Sequence, residues 1–370
     1  MKNLFYLFPI LFLAACAAMP KNTEATSIQI PCGPGPEDME LDSSAGAPRL
    51  IISCSQRRES TKKVKYEAFG EIMQYGFDSQ PATIMIRFGG PVGAMFNPHG
   101  ISIANVNGKQ MLYVVNHAKP SPKVKQNRIE VYEIQGNTLL HIRTISGPEL
   151  ISPNDCFGNR EGRIYFTNDS GKGNYLWEKF WRLKKSTVYC VMPDGTIKLV
   201  LDKLAYANGV YEMLYKAGRV VVDSLGKKNP KDSMLVRYLF VSTVQQKAMF
   251  YSTMGNEPNG DVLGNALPVM GQDNIMLCGN NLVVACHPKP IKFLKHALNP
   301  AKQSPTHVYT VDIKTGNETI QRVFVDDGSR ISTGSTAIVY KNKLYISQVF
   351  QPYILEVDMN TIVYDIGKIY

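Results

Sequence analysis

The chain has 370 residues, and its 41 lysines and arginines against 31 aspartates and glutamates give a formal charge of +10. A basic surface suits contact with anionic lipid, while the absence of a Walker loop, a G-x-S-x-G elbow, zinc-type cysteine spacing and nucleic-acid motifs argues against those functions. A chain of this length usually holds two domains, but closed all-β folds can reach it as one unit.

The N-terminus reads "MKNLFYLFPILFLAAC". One lysine precedes about a dozen apolar residues, which fits a signal-peptide core and is too short for a membrane-spanning helix. Its end, "LAAC" at residues 13–16, resembles the lipobox of bacterial lipoproteins, in which the cysteine receives lipid. We therefore predict a signal peptide at 1–15, lipid on Cys16, a polar tether at 16–27 and, from Ala17, a location at the bacterial outer membrane. The alternative is an ordinary signal peptide with an incidental cysteine.

From residue 28 onward a short pattern recurs, in which an apolar strand follows a polar residue or Met and often ends in a polar group. After most copies comes a second, aromatic-containing strand, and turn sequences such as "PDGT" and "KTGN" separate the strands. Six repeats of about 55 residues predict an all-β fold, a six-bladed β-propeller of four-stranded blades around a central channel, over residues 28–370. The copies are "RLIIS" (49–53), "MLYVVNH" (111–117), "RIYFTND" (163–169), "RYLFVST" (237–243), "NLVVACH" (281–287) and "KLYISQV" (343–349).

The fourth blade has two candidates for this strand. "GRVVVDS" (218–224) lies at the expected distance from Asn208, in which case "RYLFVST" follows an insertion. The stretch "LGKKNPKDSMLV" would then be a long loop, a type of segment that is usually functional or mobile.

A polar corner precedes each copy of the pattern. In a propeller the innermost strand of every blade begins at the channel, so the six corners are expected to converge at one end of the axis. Their carboxylate and amide oxygens suit Ca²⁺ better than zinc, which prefers His and Cys; alternatively, Asn-Asp pairs are simply turn formers. The polar residues gathered in this way are His99, Glu37, Asp38, Asn154, Asp155, Asn208, Asp273 and Asn274.

These corners resemble the paraoxonase or arylesterase family of six-bladed propellers. The matching stretches run in order over nearly the whole mature chain, from about Pro31 to Phe350. They are "IPCGPGPEDMEL", "FNPHGIS", "YVVNH", "PND", "TND", "ANG", "DNI", "CHP" and "GSTAIVYKNKLYISQVF".

The resemblance implies two calcium ions in the channel and hydrolysis of lactones, with aryl and phosphate esters as secondary substrates. It also implies that His99 and His117 form a pair that activates water, and that His287 lines the pocket. The catalytic ion would be held by Glu37, Asn154, Asn208, Asp273 and Asn274. The deeper, structural ion would be held by Asp38, Asp155 and the backbone carbonyl of Ile101.

Two departures from the family stand out. The family's cysteine at the position of Cys32 forms a disulfide with the last strand, but here that strand reads "QPYILEVD" and has no cysteine. Cys32 would therefore pair with Cys54 or stay free. Family members are also anchored by an apolar N-terminal helix, whereas this chain is expected to use lipid on Cys16.

One amphipathic helix is predicted at 174–185, "NYLWEKFWRLKK", which carries both tryptophans of the chain. Aromatic and basic residues on one helix suit a membrane interface, and the segment resembles the family's surface helix beside the active-site mouth. The alternative is a helix packed on the propeller.

The leading functional hypothesis is a calcium-dependent lactonase acting on a small-molecule lactone or ester, with a histidine as general base. One alternative is a calcium-stabilised binding propeller at the bacterial surface, which would not need the pair of His99 and His117. A second is a sugar lactonase related to gluconolactonase. That group resembles the metal shell but lacks "FNPHGIS".

Overall fold

The structure, a computed structural model, describes residues 20–44, 46–58, 60, 64–77, 81–121, 124–173, 175–216, 235–254, 262–312 and 319–362. The predicted signal peptide at 1–15, the lipidation site Cys16 and the "GRVVVDS" segment lie outside these ranges. Within them, no helix has the length and apolar character needed to cross a membrane.

Among the described residues, 25 strands form six sheets, which confirms the predicted six-bladed β-propeller. Each sheet is a blade whose successive strands pair antiparallel. Strand β1 (Ser27–Pro31) comes first. The first blade is β2 (Pro36–Asp42), β3 (Arg49–Ser55), β4 (Gly70–Gly76) and β5 (Thr83–Ile84). The second is β7 (Pro98–Val106), β8 (Lys109–Ser121), β9 (Val124–Gln135) and β10 (Thr138–Ile145), to which β6 (Ile86–Phe88) adds a fifth, parallel strand.

The remaining blades have four strands each, as predicted. The third is β11 (Pro153–Gly158), β12 (Ile164–Asn168), β13 (Ser186–Val191) and β14 (Ile197–Leu204). The fourth is β15 (Ala207–Lys216), β16 (Leu235–Thr243), β17 (Ala248–Met254) and β18 (Val262–Asn265). The fifth is β19 (Gln272–Cys278), β20 (Asn281–Cys286), β21 (Thr306–Asp312) and β22 (Thr319–Asp326). The sixth is β23 (Gly334–Tyr340), β24 (Lys343–Gln348), β25 (Tyr353–Asp358) and, on its outer edge, β1.

The ring closes by strand pairing. The N-terminal β1 pairs antiparallel with β25, from Ser27 opposite Val357 to Pro31 opposite Tyr353. Cys32 and Cys54 are both free, although their side chains are hydrogen-bonded neighbours. The segment before β1 already contacts the propeller, since the Thr23 backbone N–H donates to the carbonyl of Val325 at 2.8 Å. The predicted tether therefore ends earlier than residue 27.

The recurring apolar pattern corresponds to the second strand of every blade. Both faces of these strands pack against neighbouring blades, so all seven residues of β3 and all five of β12 are buried. In the fourth blade the second strand is "RYLFVST", within β16. The aromatic-containing strands are the third strands, as in β21, "THVYTVD".

A serine or threonine at or near the end of this pattern has a structural role between blades. In four second strands its hydroxyl donates to the backbone carbonyl of a channel residue in the next blade, which satisfies a buried acceptor. The pairs are Ser53 with His99, Thr167 with Asn208, Ser242 with Asp273, and Ser347 with Glu37.

All six innermost strands share a β-bulge-like register shift at the end where they enter the channel. A bulge inserts an extra residue and re-aims the side chains around it, so two consecutive residues can face the channel. The shifts lie between Pro36 and Asp38, Pro98 and Ile101, Pro153 and Cys156, Ala207 and Val210, Gln272 and Ile275, and Gly334 and Ala337.

Glycine is required at two of these bulges. A Cβ on Gly100 would lie 2.6 Å from Asp155 Oδ1, and a Cβ on Gly209 would lie 2.8 Å from the Cα of Asn274. The backbone there passes too close to the neighbouring channel residues to carry a side chain.

Two helices follow second strands and therefore lie at the channel end where the innermost strands begin. Helix α1 (Tyr175–Trp181) is shorter than the predicted 174–185, because Arg182 adopts a positive φ of 53° and ends it. Helix α2 (Pro290–Leu298) was not predicted, although Pro290 at its first turn is a typical helix start.

Candidate active site

The candidate site lies where the innermost strands enter the channel, together with the loops that follow the second strands. The bulges of β2, β7, β11, β15 and β19 carry the predicted site residues Glu37, Asp38, His99, Asn154, Asp155, Asn208, Asp273 and Asn274. Residues His117, on β8, and His287, just after β20, come from second strands. The structure therefore brings these dispersed segments together, as the propeller interpretation requires.

Five buried oxygen atoms in this site have no hydrogen-bond partner among the residues that the structure describes. A buried polar atom without a partner costs free energy, and native proteins rarely leave one. Carboxylate and amide oxygens are the donors that calcium prefers, so this donor set fits a calcium ion. The atoms are Glu37 Oε2, Asn154 Oδ1, Asn208 Oδ1, Asp273 Oδ1 and Asn274 Oδ1, from the five residues predicted to hold the catalytic ion.

Other contacts fix the orientation of these side chains. The Asn274 amide donates from Nδ2 to Thr336 Oγ1 at 2.9 Å, so its Oδ1 is the atom left free. The second carboxylate oxygen of Asp273 lies 2.9 Å from His287 Nε2. His287, predicted only to line the pocket, therefore also positions Asp273, as residues behind metal ligands commonly do.

A second group of acidic residues lies deeper in the channel. Asp38 Oδ2 accepts from the Ile101 backbone N–H at 2.7 Å, and Asp155 Oδ2 accepts from that of Val210 at 2.9 Å. Both carboxylates line a void of about 10 Å³, together with Ile101. A void of this size accommodates roughly one water molecule or ion. The residues predicted to hold the structural ion thus also fit one.

Burial disfavours the charged form of the carboxylates in this part of the channel. Burial raises the pKa of Glu37, Asp155 and Asp273, and burial together with the charge of Glu37 raises the pKa of Asp38 to about 7. Among the described residues, no group of three or more His, Cys, Asp or Glu side chains is arranged to hold a metal alone. Asparagine amides make up the rest of the donor set, and a dication among them would offset the carboxylate charge.

The two predicted catalytic histidines are in contact. His99 Nδ1 lies 3.0 Å from His117 Nε2, and His117 Nδ1 lies 2.9 Å from Asn127 Oδ1. Because Asn127 donates from Nδ2 to the carbonyl of Ile151 at 2.8 Å, its oxygen faces the ring and His117 carries its proton on Nδ1. His117 Nε2 is then an acceptor. It can receive a hydrogen bond from His99 Nδ1.

Arg57, which the sequence analysis missed, contacts both His99 and Glu37. Its Nη1 lies 2.9 Å from His99 Nδ1, and its Nη2 lies 3.5 Å from Glu37 Oε2. When His99 Nδ1 accepts from Arg57, the ring proton is on Nε2, which lies 3.3 Å from Glu37 Oε1. When His99 Nδ1 instead donates to His117, its Nε2 is unprotonated. Arg57 and His117 therefore favour opposite tautomers of His99.

Both histidines are held in the neutral form. Burial and the positive charge of Arg57 lower the pKa of His99 well below its usual range. Burial and the neighbouring His99 lower the pKa of His117 to about 3. A neutral imidazole is the form that can accept a proton from water.

Aromatic side chains adjoin the site on the side of α2. The ring centroid of Phe293 lies 4.8 Å from that of His287 and 5.9 Å from that of Phe350. Arg58 crosses from the first blade and holds the end of α2 through the carbonyls of His296 and Ala297. This contact between distant segments is not visible in the sequence.

Both helices expose apolar residues at this end of the propeller. Phe180 of α1 is 72% exposed and Leu298 of α2 is 79% exposed, and Trp177, Trp181, Ile291 and Leu294 are also exposed. Lys179, in contrast, is partly buried and pairs with Asp169 at 3.1 Å. It contributes to packing and not to a basic outer face.

A cavity of about 960 Å³ lies at the opposite end of the channel. It is lined by the far ends of the innermost strands and by none of the predicted site residues. The predicted site residues therefore lie away from this cavity, at the other end of the channel.

Comparison with known proteins identifies the family to which the chain is similar. The family model described as Arylesterase matches residues 68–230 and 232–356. The chain is 28% identical over 265 residues to serum paraoxonase/arylesterase 2 of Canis lupus familiaris, covering 70% of this chain and 67% of that protein. It is 26% identical over 260 residues to serum paraoxonase/lactonase 3 of Oryctolagus cuniculus, covering 69% and 67%. Among solved structures, a luciferin-regenerating enzyme matches with a TM-score of 0.51 at 12% identity over 90% of this chain and 95% of that one, which supports the fold alone.

The raised carboxylate pKa values predict an unusual pH dependence of stability for the metal-stripped protein. Burial and Glu37 raise the pKa of Asp38 from 3.8 to about 7, so in this window the folded protein binds protons that the unfolded chain has lost. Stability in EDTA should then be highest below the ordinary pKa and should fall as pH rises through about 7. Melting temperatures measured between about pH 5 and about pH 8 test this.

Two variants serve as the comparison for this measurement. Asp38→Asn should reduce the loss of stability between about pH 5 and about pH 8. Asp202→Asn should leave this loss unchanged, because the Asp202 side chain is 51% exposed. If the melting temperatures of the wild type and Asp38→Asn change equally with pH, the pH dependence does not arise from this carboxylate.

Proposed function

Because this chain belongs to the arylesterase family and is a hydrolase of the lactonase and esterase type, we propose that it opens lactones with an activated water in a calcium-dependent reaction. Aryl esters would be further substrates. The observation that carries the proposal is the set of five buried oxygens that have no hydrogen-bond partner among the described residues. We further propose two ions, one at this set and one between Asp38 and Asp155.

The proposed chemistry assigns a separate task to each group. Bound calcium would polarise the ester carbonyl and stabilise the negative charge that develops on its oxygen. His99, donating from Nδ1 to His117, presents an unprotonated Nε2 that accepts a proton from the attacking water. The acyl C–O bond of the lactone ring then breaks. His99 passes the proton taken from water to the departing alkoxide, so the product is a hydroxy acid. Asn127 holds His117 in the tautomer that this step needs.

The two alternative functions are less well supported. A binding propeller with calcium in a structural role has no use for two contacting neutral histidines, one of which, His99, also contacts Glu37 of the proposed metal site. A sugar lactonase would need polar groups around its substrate. Here the aromatic ring of Phe293 adjoins His287, and Phe350 packs behind Phe293, which favours a lipophilic lactone.

For location, we propose an exported lipoprotein anchored through Cys16, at the outer membrane of a bacterium. The lipobox-like "LAAC" motif and the polar stretch after it support this. The exposed apolar residues of α1 and α2 provide a second contact, because they lie at the same end of the propeller as the site. A lipophilic substrate could then reach the site from the membrane.

The central test is activity with and without metal. Wild-type protein assayed on a panel of aliphatic lactones should lose activity in EDTA and regain it with Ca²⁺. Asp273→Ala should abolish hydrolysis, because it removes one of two negative charges from the proposed catalytic ion, and calorimetry should show one tight calcium fewer. Asp202→Ala, at an exposed position, is the matched control. An Asp273→Ala protein that keeps full activity would disprove the proposed ion site.

The base is tested separately. His99→Gln should lower kcat by about 10²- to 10⁴-fold, the usual contribution of general-base catalysis, while calcium binding is retained. His117→Gln should cost less, because His117 only orients or relays. Nearly normal turnover by His99→Gln would indicate that Glu37 or another carboxylate deprotonates the water.

The anchor is tested by cell fractionation. Cys16→Ser should move the protein from the membrane fraction to the soluble fraction or leave an uncleaved precursor. Equal incorporation of radiolabelled palmitate into the variant and the wild type would contradict lipidation at Cys16.

A further inference from the structure

Glu40 is an acidic channel residue that the resemblance does not account for. It lies two residues after Asp38 on β2, so both side chains point to the same face of the strand. Glu40 lines the void between Asp38 and Asp155, and it also lines the large cavity at the far end of the channel. It therefore stands between the deep site and solvent.

The deep site is short of ligands without Glu40. The implied donors are two carboxylates and one backbone carbonyl, whereas calcium takes about six to eight oxygens. The carboxylate of Glu40, like that of Asp38, accepts a hydrogen bond from a backbone N–H of β7. The Ile101 backbone N–H donates to Asp38 and that of Ile103 donates to Glu40, and the two carboxylates repel each other.

Charge balance points the same way. The channel contains five buried or partly buried carboxylates, and Arg57 is the guanidinium that contacts one of them. After the charge of Arg57 is subtracted, four negative charges remain, and the four positive charges of two calcium ions would balance them. With Glu40 left out, the two proposed ions would give the channel a net positive charge. The carboxylates are those of Glu37, Asp38, Glu40, Asp155 and Asp273.

We infer that Glu40 is the third carboxylate ligand of the deep calcium ion and closes that site toward the far cavity. The inference rests on the two-ion proposal above. Phe157, Tyr211 and Met276 line both the void and the cavity, and Glu40 is the ionisable carboxylate among these shared residues. Glu40 thus completes the coordination of the ion from below, where solvent would otherwise reach it.

Calcium affinity of the full-length protein is the first test. Glu40→Gln keeps the shape of the side chain and removes its charge, so it should weaken one of the two ions by about 10- to 100-fold and leave the other unchanged. Glu40→Asp, with its carboxylate withdrawn by one methylene, should also weaken that ion. Glu161→Gln is the control, because Glu161 lines the far cavity but not the void.

The second test counts the water molecules on the metal. Terbium bound at the deep site in place of calcium should be sensitised by Tyr211, which lines the void. Luminescence lifetimes in light and heavy water give the hydration number of that ion. It should increase by about one or two in Glu40→Gln, as water replaces the lost carboxylate oxygens of a six- to eight-coordinate site.

Thermal melting gives a third readout, which a merely structural Glu40 would not produce. In EDTA, Glu40→Gln should be at least as stable as the wild type, because a repelling charge has been removed. With calcium, it should gain less stability than the wild type. Unchanged affinity and hydration in Glu40→Gln, with two ions and lactonase activity in the wild type, would overturn this inference alone. A wild type that binds no calcium would overturn the proposed function as well.

Discussion

The burial of several carboxylates in the central channel is the constraint on which the rest of the structure depends. Glu37, Asp38, Asp155 and Asp273 are all nearly fully buried, and burial raises their pKa values. A protein gains nothing in stability from such a cluster unless a counter-charge is present. The proposed cations would supply that counter-charge, and the fold must keep the cluster together without them.

Several features of the fold meet this constraint. Each carboxylate lies at a bulge at the start of an innermost strand. For Glu37 and Asp273, a hydroxyl from the second strand of the preceding blade, that of Ser347 or Ser242, holds the backbone carbonyl. Because these contacts cross from blade to blade, ring closure affects the site directly. Closure here depends on the pairing of β1 with β25, without a disulfide at Cys32. Metal binding, which needs ligands from several blades, would reinforce the same closure.

The sequence was sufficient to predict the propeller and the strands of each blade, because both are encoded locally by apolar runs, corners and turns. It also predicted which corners converge, since six similar corners must meet on one axis. It could not predict the roles of Arg57, Asn127 and Phe293. Arg57 lies in the loop after β3, Asn127 in β9 and Phe293 in α2. Their partners are determined only by how these segments fold over the channel. The helix at 174–185 was placed correctly but extended too far, because the left-handed Arg182 has no strong sequence signal.

Glu37 links metal binding to the state of the proposed base. Its Oε1 lies 3.3 Å from His99 Nε2, and its Oε2 has no hydrogen-bond partner among the described residues and lies 3.5 Å from Arg57 Nη2. A Glu37 carboxylate engaged with the proposed calcium ion would be a weaker acceptor for His99, and this would favour the tautomer in which His99 donates to His117 instead. In that tautomer Nε2 is free to accept a proton. The opposing contact from Arg57 has the reverse effect, so the protein without metal is biased toward the tautomer that cannot act as the base.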